Sequence, residues 1–316
     1  MLIKDLKLIL KVAEFRSITA AAITLNMQPA TASAAIKRVE VALGIELFIR
    51  STRELRLSAA GERYIPECKK ALQMLEQAEQ AMRDELDIIQ GDLRISVSSD
   101  LGRNLTLTWL EEFKRQHPKV RLKIQISDNT IDFYRDSLDV ALRYGIPNDS
   151  NLYGFKICNV PRLLCASPDY IKHYGNPSLP EELHKHKGLF YELNGMQHDI
   201  WQLSKGSISE KVKMRGDCIS NDGDIVRRLC VSGLGIANKS CLDMADDLLA
   251  ERVVNIMPDY SPGPTELWLV CPSRQSIVPT VRVLRDLFRL KTHSILTQLI
   301  DKQILDKSVL ENQAKT

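Results

Sequence analysis

The stretch LNMQPATASAAIKRVE, residues 25–40, narrows most sharply what this 316-residue chain can fold into. Pro29 suits the first turn of a helix, where a backbone N–H has no partner to lose. From there Ala32, Ile36, Val39 and Leu43 recur at steps of four, three and four, a single buried stripe at helical period. The opposite side carries Ala30, Ala34 and Val41, flanked by Ser33 and Lys37. Exposed helix faces ordinarily carry long charged side chains. This helix has one face for a core and a second face cut nearly to the backbone, which calls for a partner that comes very close.

The flanking elements say what kind of partner. Lys4 to Phe15 is amphipathic, with Leu6, Ile9/Leu10 and Ala13 as its expected stripe, and Ser17 and Thr19 offer caps for a short helix, ITAAAITLN. A break at Asn26 to Gln28 leads into the Pro29 helix, giving a helix-turn-helix pattern. Gly44 is placed to end that helix. LFIRSTRELRL then reads as a two-stranded hairpin, with Phe48, Leu55 and Leu57 inward and Arg50, Ser51, Thr52 and Arg53 at its tip. The expectation is a winged helix-turn-helix. A recognition helix lies in a major groove about 12 Å wide, and small side chains let its backbone approach the base edges. Ala30 and Ala34 can touch thymine methyls, while Gln28, Thr31 and Ser33 can bond to bases or phosphates. Lys37, Arg38, Arg50 and Arg53 supply phosphate neutralisation. An alanine face can equally pack on another protein helix; the preceding helix and the arginine-tipped wing weigh against that. With Ser17, Thr19 and Pro29, these residues form the candidate DNA-binding set.

Charge agrees. Residues 1–57 hold nine Lys/Arg against five acids, a net +4, whereas residues 58–90 carry −3 and the rest +2. A basic head on a near-neutral body fits a polyanion partner.

Residues 16–62, RSITAAAITLNMQPATASAAIKRVEVALGIELFIRSTRELRLSAAGE, resemble the LysR-type transcriptional regulators. The match includes Ala20-Ala21-Ala22, Leu25, Ser33, Ile36, Glu40, Leu43-Gly44, Leu47-Phe48, Arg50, Leu57-Ser58 and Ala60-Gly61-Glu62. The chain departs at Gln28-Pro29, where the family usually has Ser-Gln, and at Ala34-Ala35, where it often has Arg-Gln. Those positions bear on base reading and not on the fold.

From Ser58, a plausible cap, a helical pattern runs to about Gln90. Ile65, Cys68, Leu72, Leu75, Glu79, Met82, Leu86 and Ile89 alternate three- and four-residue steps, a heptad seam with one polar position. At 1.5 Å per residue it is roughly 50 Å long, too long to bury within one small domain. The alternative is an amphipathic helix packed on its own body; the resemblance implies a dimerisation helix, with two-fold symmetry reading paired half-sites.

Beyond Gly91, strand patterns (LRISVSS, VRLKIQIS, DVALRYG) alternate with helices expected through 101–116 and around 131–137. A second series follows: RLLCASP, a polar stretch, KVKMRGDCIS, the helix DIVRRLCVSG and LGIAN. TELWLVCPS and a helix over 278–290 return to the first lobe. The fold class expected is α/β: an N-terminal winged helix-turn-helix, a long linker helix, and a two-lobed, doubly wound α/β effector domain. Segments such as GDLRISVSSDLGR, LLCASPDYIKHYGNP and SGLGIA resemble the effector-binding domain of the same family, which implies a periplasmic-binding-protein fold. The expected boundaries are 1–58 for the DNA-binding domain, 59–90 for the linker helix, and 91–293 for the effector domain. Within the last, lobe one is 91–162 with 264–293 and lobe two is 163–263. Residues 294–316 are left as a weakly amphipathic tail.

Two lobes joined by crossing segments form a cleft at the strand ends, a natural small-ligand site. Ser98 and Ser99 lie where the first strand hands over to its helix, where free N–H groups favour an anion. The neighbouring Asp100 counts against an anion, since its carboxylate could satisfy those donors itself. Asn221 and Asp222 hold the matching position in lobe two, and Asp128 and Arg143 end two further strands. Arg143 is the most diagnostic, because an arginine can clamp a carboxylate bidentately. Each of these also reads as an ordinary cap or solvated end residue.

No catalytic set stands out. GxSxG, HExxH and Walker patterns are missing, and Val231-Ser-Gly-Leu-Gly-Ile reads as a tight helix-to-strand turn. His184, His186 and His198 raise zinc, but no cysteine or carboxylate stands at a metal-site interval. No metal and no cofactor are expected. Seven cysteines without a CxxC pair suggest reduced thiols in the cytoplasm. The N-terminus lacks a secretory pattern, and no apolar run approaches the ~20 residues that cross a bilayer. The reading is a DNA-binding transcriptional regulator modulated by an unidentified small-molecule effector. Expected partners are double-stranded operator DNA, a second copy or three further copies of itself, and RNA polymerase if it activates; no membrane is expected. The rival readings are a solute-binding protein with an atypical N-terminal module and an enzyme with an accessory DNA-binding module. The missing signal peptide and the basic head oppose the first, and the lack of a nucleophile–base set opposes the second.

Overall fold

In the first unit, the sequence's own caps set the helix ends. The computed structural model describes residues 2–50, 55–84, 89–133, 135–147 and 152–311. It divides into two compact units, Met1–Leu86 with Tyr134–Ser137, and Asp87–Phe133 with Leu138–Thr316. The first unit opens with α1 (Ile3–Phe15), α2 (Ile18–Thr24) and α3 (Pro29–Leu43). The Ser17 hydroxyl accepts the Ala20 N–H at 3.2 Å to start α2. Pro29 occupies the first turn of α3, and Gly44, at φ 68°, ends it in the left-handed conformation that glycine adopts without penalty.

The wing is the antiparallel pair β1 (Phe48–Arg50) and β2 (Leu55–Leu57), with Phe48 opposite Leu57 and Arg50 opposite Leu55. Glu40 ties it to α3, its carboxylate accepting the N–H groups of Leu47 at 2.9 Å and Phe48 at 3.2 Å. Helix α4 (Ala59–Asp84) starts at Ser58, whose hydroxyl accepts the Gly61 N–H at 2.9 Å. Gly61 passes so near the wing that a Cβ would sit 2.2 Å from the Leu47 carbonyl oxygen.

The core of this unit corrects two stripes. In α1 the buried residues are Leu8, Ile9 and Val12, while Leu6, Leu10 and Ala13 only flank them. The true face is thus rotated by about one residue, and it also buries Asp5. In α4, Cys68 and Leu72 are buried in the unit's own core beside Ala32, Ile36 and Val39, with Ile65 packed against it. The start of the heptad seam is therefore spent inside the head. Leu75 and Met74 are exposed, whereas the side chains of Glu79 and Met82 and all of Leu86 lie outside the described residues.

The second unit begins with β3 (Gly91–Val97), α5 (Ser99–Leu101), a π-helical turn Gly102–Thr106, α6 (Leu107–Gln116), β4 (Val120–Ile126), β5 (Val140–Tyr144) and β6 (Tyr153–Val160). The second lobe holds β7 (Arg162–Ala166), α7 (Pro168–Tyr174), β8 (Lys187–Leu193), β9 (Met196–Gln197), β10 (Ile200–Lys205), β11 (Ile208–Lys213), β12 (Arg215–Ser220), α8 (Gly223–Val231), β13 (Ile236–Ser240), α9 (Ala245–Leu249) and β14 (Val254–Asn255). The chain then returns as β15 (Thr265–Cys271), α10 (Pro279–Asp301) and α11 (Ser308–Glu311).

Both sheets follow one plan. The orders are β4-β3-β5-β15-β6 and β12-β8-β13-β7-β14. In each, three parallel strands are followed by one reversed strand and a last strand paired antiparallel to it. This is the expected two-lobed α/β architecture, with β15 completing the first lobe's sheet.

Four local expectations are corrected. Residues 131–137 form turns, not a helix, among the described residues; Ser137 takes φ 54°, and the Leu138 N–H closes on the Phe133 carbonyl. KVKMRGDCIS is two strands, β11 and β12, broken at buried Met214. The polar stretch contains β8, the middle of three parallel strands in its lobe. The C-terminal segment is no tail: α10 runs on to Asp301, and Leu296, Leu299, Ile300 and Leu305 are buried in the body's main core.

Candidate functional site

On α3 the division of faces is as the sequence implied, except that Leu43 is only half-buried and Ala35 joins the buried side. Ala32, Ala35, Ile36 and Val39 are buried, whereas Gln28, Pro29, Ala30, Thr31, Ala34 and Lys37 are exposed and Ser33 is half-buried. Val41, 72% exposed, extends the small apolar face. Burial of Ala35 leaves Ala34 as the outward member of the Ala34-Ala35 pair. The other candidates divide. Ser17 is spent as the cap of α2, and Thr19 is exposed on α2. Arg38 reaches back to Asp5 at 3.0 Å, where its half-exposed guanidinium neutralises a carboxylate that is almost fully buried. The side chain of Arg50 and all of Ser51, Thr52 and Arg53 lie outside the described residues. Arg56, opposite Ile49 on the wing, is a further exposed cation, set back from the tip.

In the body, the strand ends of both lobes converge. Asp128, two residues past β4, accepts the Ser99 N–H at 2.6 Å, the Ser99 hydroxyl, and the Gly223 N–H at 3.0 Å from the other lobe. The Gly223 N–H also reaches Ser99 Oγ at 2.8 Å. The carboxylate that fills these donors is thus Asp128, not Asp100. Asp100 turns to the buried Lys239, which also lies 3.4 Å from Asp243. Burial raises the Asp100 carboxyl to about 7 even against the pull of Lys239. Lys239, though buried, is held above the usual lysine range by its two carboxylates. The Tyr144 hydroxyl donates to Asp243 at 2.8 Å, further joining the lobes.

Arg143 lies beside this cluster. Its guanidinium donates to Ser96 Oγ at 2.8 Å and to the Leu142 carbonyl at 3.0 Å. Burial lowers it to about 10, opposed by the negative charge of Asp128 and the nearby Tyr191. Burial raises the Tyr191 hydroxyl, and Asp128 adds to the effect. Ser98 Oγ is buried without a hydrogen-bond partner. Asp222 caps α8, accepting the Asp224 and Ile225 N–H groups, and takes Arg103 across the cleft at 2.8 Å. Asn221 is exposed and outside this network.

Arg103, Asn104, Tyr191, Asp224 and Lys239 were missed. Only Lys239 left a trace in the sequence, as the charge directly after the strand pattern LGIAN.

The histidines have other tasks. His186 faces the Tyr170 hydroxyl at 3.3 Å, His184 meets the Glu181 carbonyl, and His198 stacks on Tyr191. Among the described residues, no group of three or more His, Cys, Asp or Glu is arranged to hold a metal ion, and no helix is long and apolar enough to cross a membrane. All seven cysteines are free thiols, and six are buried.

A winged helix-turn-helix and a two-lobed ligand-binding body in one chain define a ligand-responsive DNA-binding regulator. Residues 3–62 match the family model described as "Bacterial regulatory helix-turn-helix protein, lysR family", and residues 87–291 match "LysR substrate binding domain". An HTH-type transcriptional regulator of Haemophilus influenzae is 31% identical over 267 residues, 84% of this chain and 92% of that one. The HTH-type transcriptional regulator DmlR of Escherichia coli K12 is 29% identical over 288 residues, 91% and 94% of the two chains. Among solved structures, the full-length Vibrio cholerae virulence activator AphB is 27% identical with a TM-score of 0.58, covering 91% of this chain and 98% of that one. CrgA of Neisseria meningitidis is 26% identical with a TM-score of 0.59 at the same coverages. The chain belongs to the LysR family of transcriptional regulators. It is a DNA-binding regulator with an effector-binding domain, of a family that is generally not enzymatic.

Proposed function

We propose that α3 enters the major groove of a specific operator. Gln28, Pro29, Ala30, Thr31, Ser33 and Ala34 lie along the base edges in this reading, and Lys37 sits at the phosphates with the wing arginines Arg50, Arg53 and Arg56. The observation that carries it is the two-sidedness of α3: small exposed alanines at 30 and 34 directly opposite the buried Ala32, Ile36 and Val39. Ser17 and Thr19 sit at the start of α2, where a backbone phosphate is the natural partner. Arg38 contributes less than Lys37, being committed to Asp5.

Residues 1–58 serve as the DNA-binding domain in this proposal, 59–90 as the linker whose helix α4, Ala59–Asp84, pairs two copies, and 91–311 as the effector domain. Its effector sits among Ser98, Arg143 and Tyr191, beside Ser99, Asp128 and Asp222. The protein works in the cytoplasm as a dimer or tetramer, and where it activates, RNA polymerase is its further partner. Fluorescence anisotropy with the DNA upstream of its own coding region, against random sequence, tests the first part. Specific binding that falls steeply as salt rises from 50 to 200 mM supports phosphate-anchored docking; a flat response refutes it. Small molecules that change this binding in the wild type and fail to do so in Arg143→Ala support the cleft.

A further inference from the structure

The Ser99 and Gly223 donors belong to different lobes, yet they converge on one carboxylate that belongs to the chain itself. Asp128 Oδ1 receives the Ser99 N–H, while Oδ2 receives the Ser99 hydroxyl and the Gly223 N–H. Charge-assisted bonds of this kind are the strong ones, and a free small anion placed here would collect the same set. Asp128 needs no such encounter, because it is tethered two residues beyond β4 and its attachment supplies a high effective concentration. Arg143, by contrast, spends its guanidinium on two neutral oxygens, Ser96 Oγ and the Leu142 carbonyl. The cleft therefore has one anion-receiving position already filled and one cation held ready.

We propose that Asp128 is the specificity-determining residue of the cleft: a built-in anion that occupies the lobe-bridging donors and excludes any ligand carboxylate from them. An effector then presents no carboxylate at this end, and its anionic group, where it has one, belongs at Arg143. This extends the cleft reading above. Removing the Asp128 side chain uncovers the donors and converts the position into a receptor for small carboxylates.

The test uses the full-length protein and formate, the smallest copy of the missing head group, against chloride at matched ionic strength. Wild type, Asp128→Ala, Asp128→Asn and the double variant Ser99→Ala/Asp128→Ala are compared by thermal melting and calorimetric titration. Asp128→Ala is expected to melt below wild type and to recover by roughly 3–6 °C in tenfold excess of formate over its Kd. Wild type should respond to formate as it does to chloride. Asp128→Asn should not respond either, since its amide still fills the space. The double variant should bind formate at least tenfold more weakly than Asp128→Ala. Should Asp128→Ala fold only when formate is present, that is the same result. A variant that formate neither stabilises nor helps to fold overturns the proposal, and so does wild type binding formate as tightly as the variant.

Formate requires no knowledge of the natural effector. Rescue by formate, with an effector response that ignores cleft substitutions, would leave Asp128 as a built-in anion and remove the cleft as the effector site.

Discussion

A glutamate placed at position 34 and one placed at position 32 should fail in opposite ways. Ala34 is exposed on α3, so Ala34→Glu loses only a fraction of a kcal/mol of helix preference, and the head stays folded. In the groove its carboxylate would stand near phosphates. At about 5 Å, with an effective dielectric between about 20 and 80, each such approach costs about 1–3 kcal/mol, before the bulk that lifts the backbone off the bases. Operator affinity should fall by at least tenfold. Ala32 is fully buried between Ile36, Val39 and the α1 residues Leu8 and Val12. A glutamate there has no cation among those neighbours, and an uncompensated buried charge costs about 3–5 kcal/mol, much of a small domain's stability. Ala32→Glu should thus lose binding because the head melts. Lys37→Ala separates the two kinds of contact. A phosphate role lowers affinity for operator and random DNA alike, while a base-reading role concentrates a loss of about 1–3 kcal/mol on the operator. Anisotropy with both DNAs, beside thermal melts, reads all three variants. A folded Ala34→Glu with full operator affinity would refute the placement of this face in the groove.

Three further outcomes follow from the structure. Met74→Glu/Leu75→Glu should yield monomers in light scattering with an unchanged head melt, because both residues are exposed, whereas Leu72→Glu should melt the head itself; unchanged mass in the double variant would remove this stretch from the dimer seam. Leu296→Ala should lower body stability by about 2–5 kcal/mol in denaturant titration, since that side chain is fully buried in the main core; a neutral result would restore the tail reading. Asp100 holds its proton in the folded state up to about pH 7 but releases it near 3.8 when unfolded. The folded state binds more protons between those values, so this residue makes stability fall as pH rises from about 4 to about 7. Asp100→Asn should remove that component, and a wild-type minus variant difference of the opposite sign would contradict the burial of this carboxyl.

What the sequence made legible was local. The Pro29–Leu43 helix, its ends at Pro29 and Gly44, and the wing hairpin with Phe48, Leu55 and Leu57 turned inward all follow from periodicity and turn chemistry within a few residues. The family resemblance supplied the two-lobed plan. Other features escaped because their causes are distant. β8 carries KGLFYEL without clean alternation because it lies between two parallel strands and is held by both. The extension of α10 to Asp301 was hidden because its apolar residues only make sense once the body core is there to receive them. Stripe phase was the weakest reading: in α1 it slipped by one residue, since Leu6, Leu8, Ile9, Leu10 and Val12 allow two choices and packing decides. Asp128 looked like a ligand-facing strand end. Its donor on Gly223 is 95 positions away, and no local pattern announces such a bond.

The polar character of the closure matters for regulation. The lobes meet across the cleft through Arg103–Asp222, Asn104–Asp224, Lys239–Asp100 and Asp128–Gly223 rather than through an apolar seam alone. A hydrogen bond contributes only about 0.5–1.5 kcal/mol net, and a buried ion pair gives back much of its attraction as desolvation. These bonds specify one lobe arrangement closely while adding little to the depth that the apolar core shared by the lobes supplies. A ligand shifts an equilibrium only by its unequal affinity for the two states, and reversing a 1:99 population takes about 5.5 kcal/mol. An effector bonding Arg143 and the unpartnered Ser98 hydroxyl in one arrangement and not the other would gain about 2–4.5 kcal/mol of that from the two bonds, the rest coming from apolar surface it buries. In the cleft proposed above, these polar bridges are what a ligand would have to remake, and Asp128 supplies one of them without waiting for a ligand.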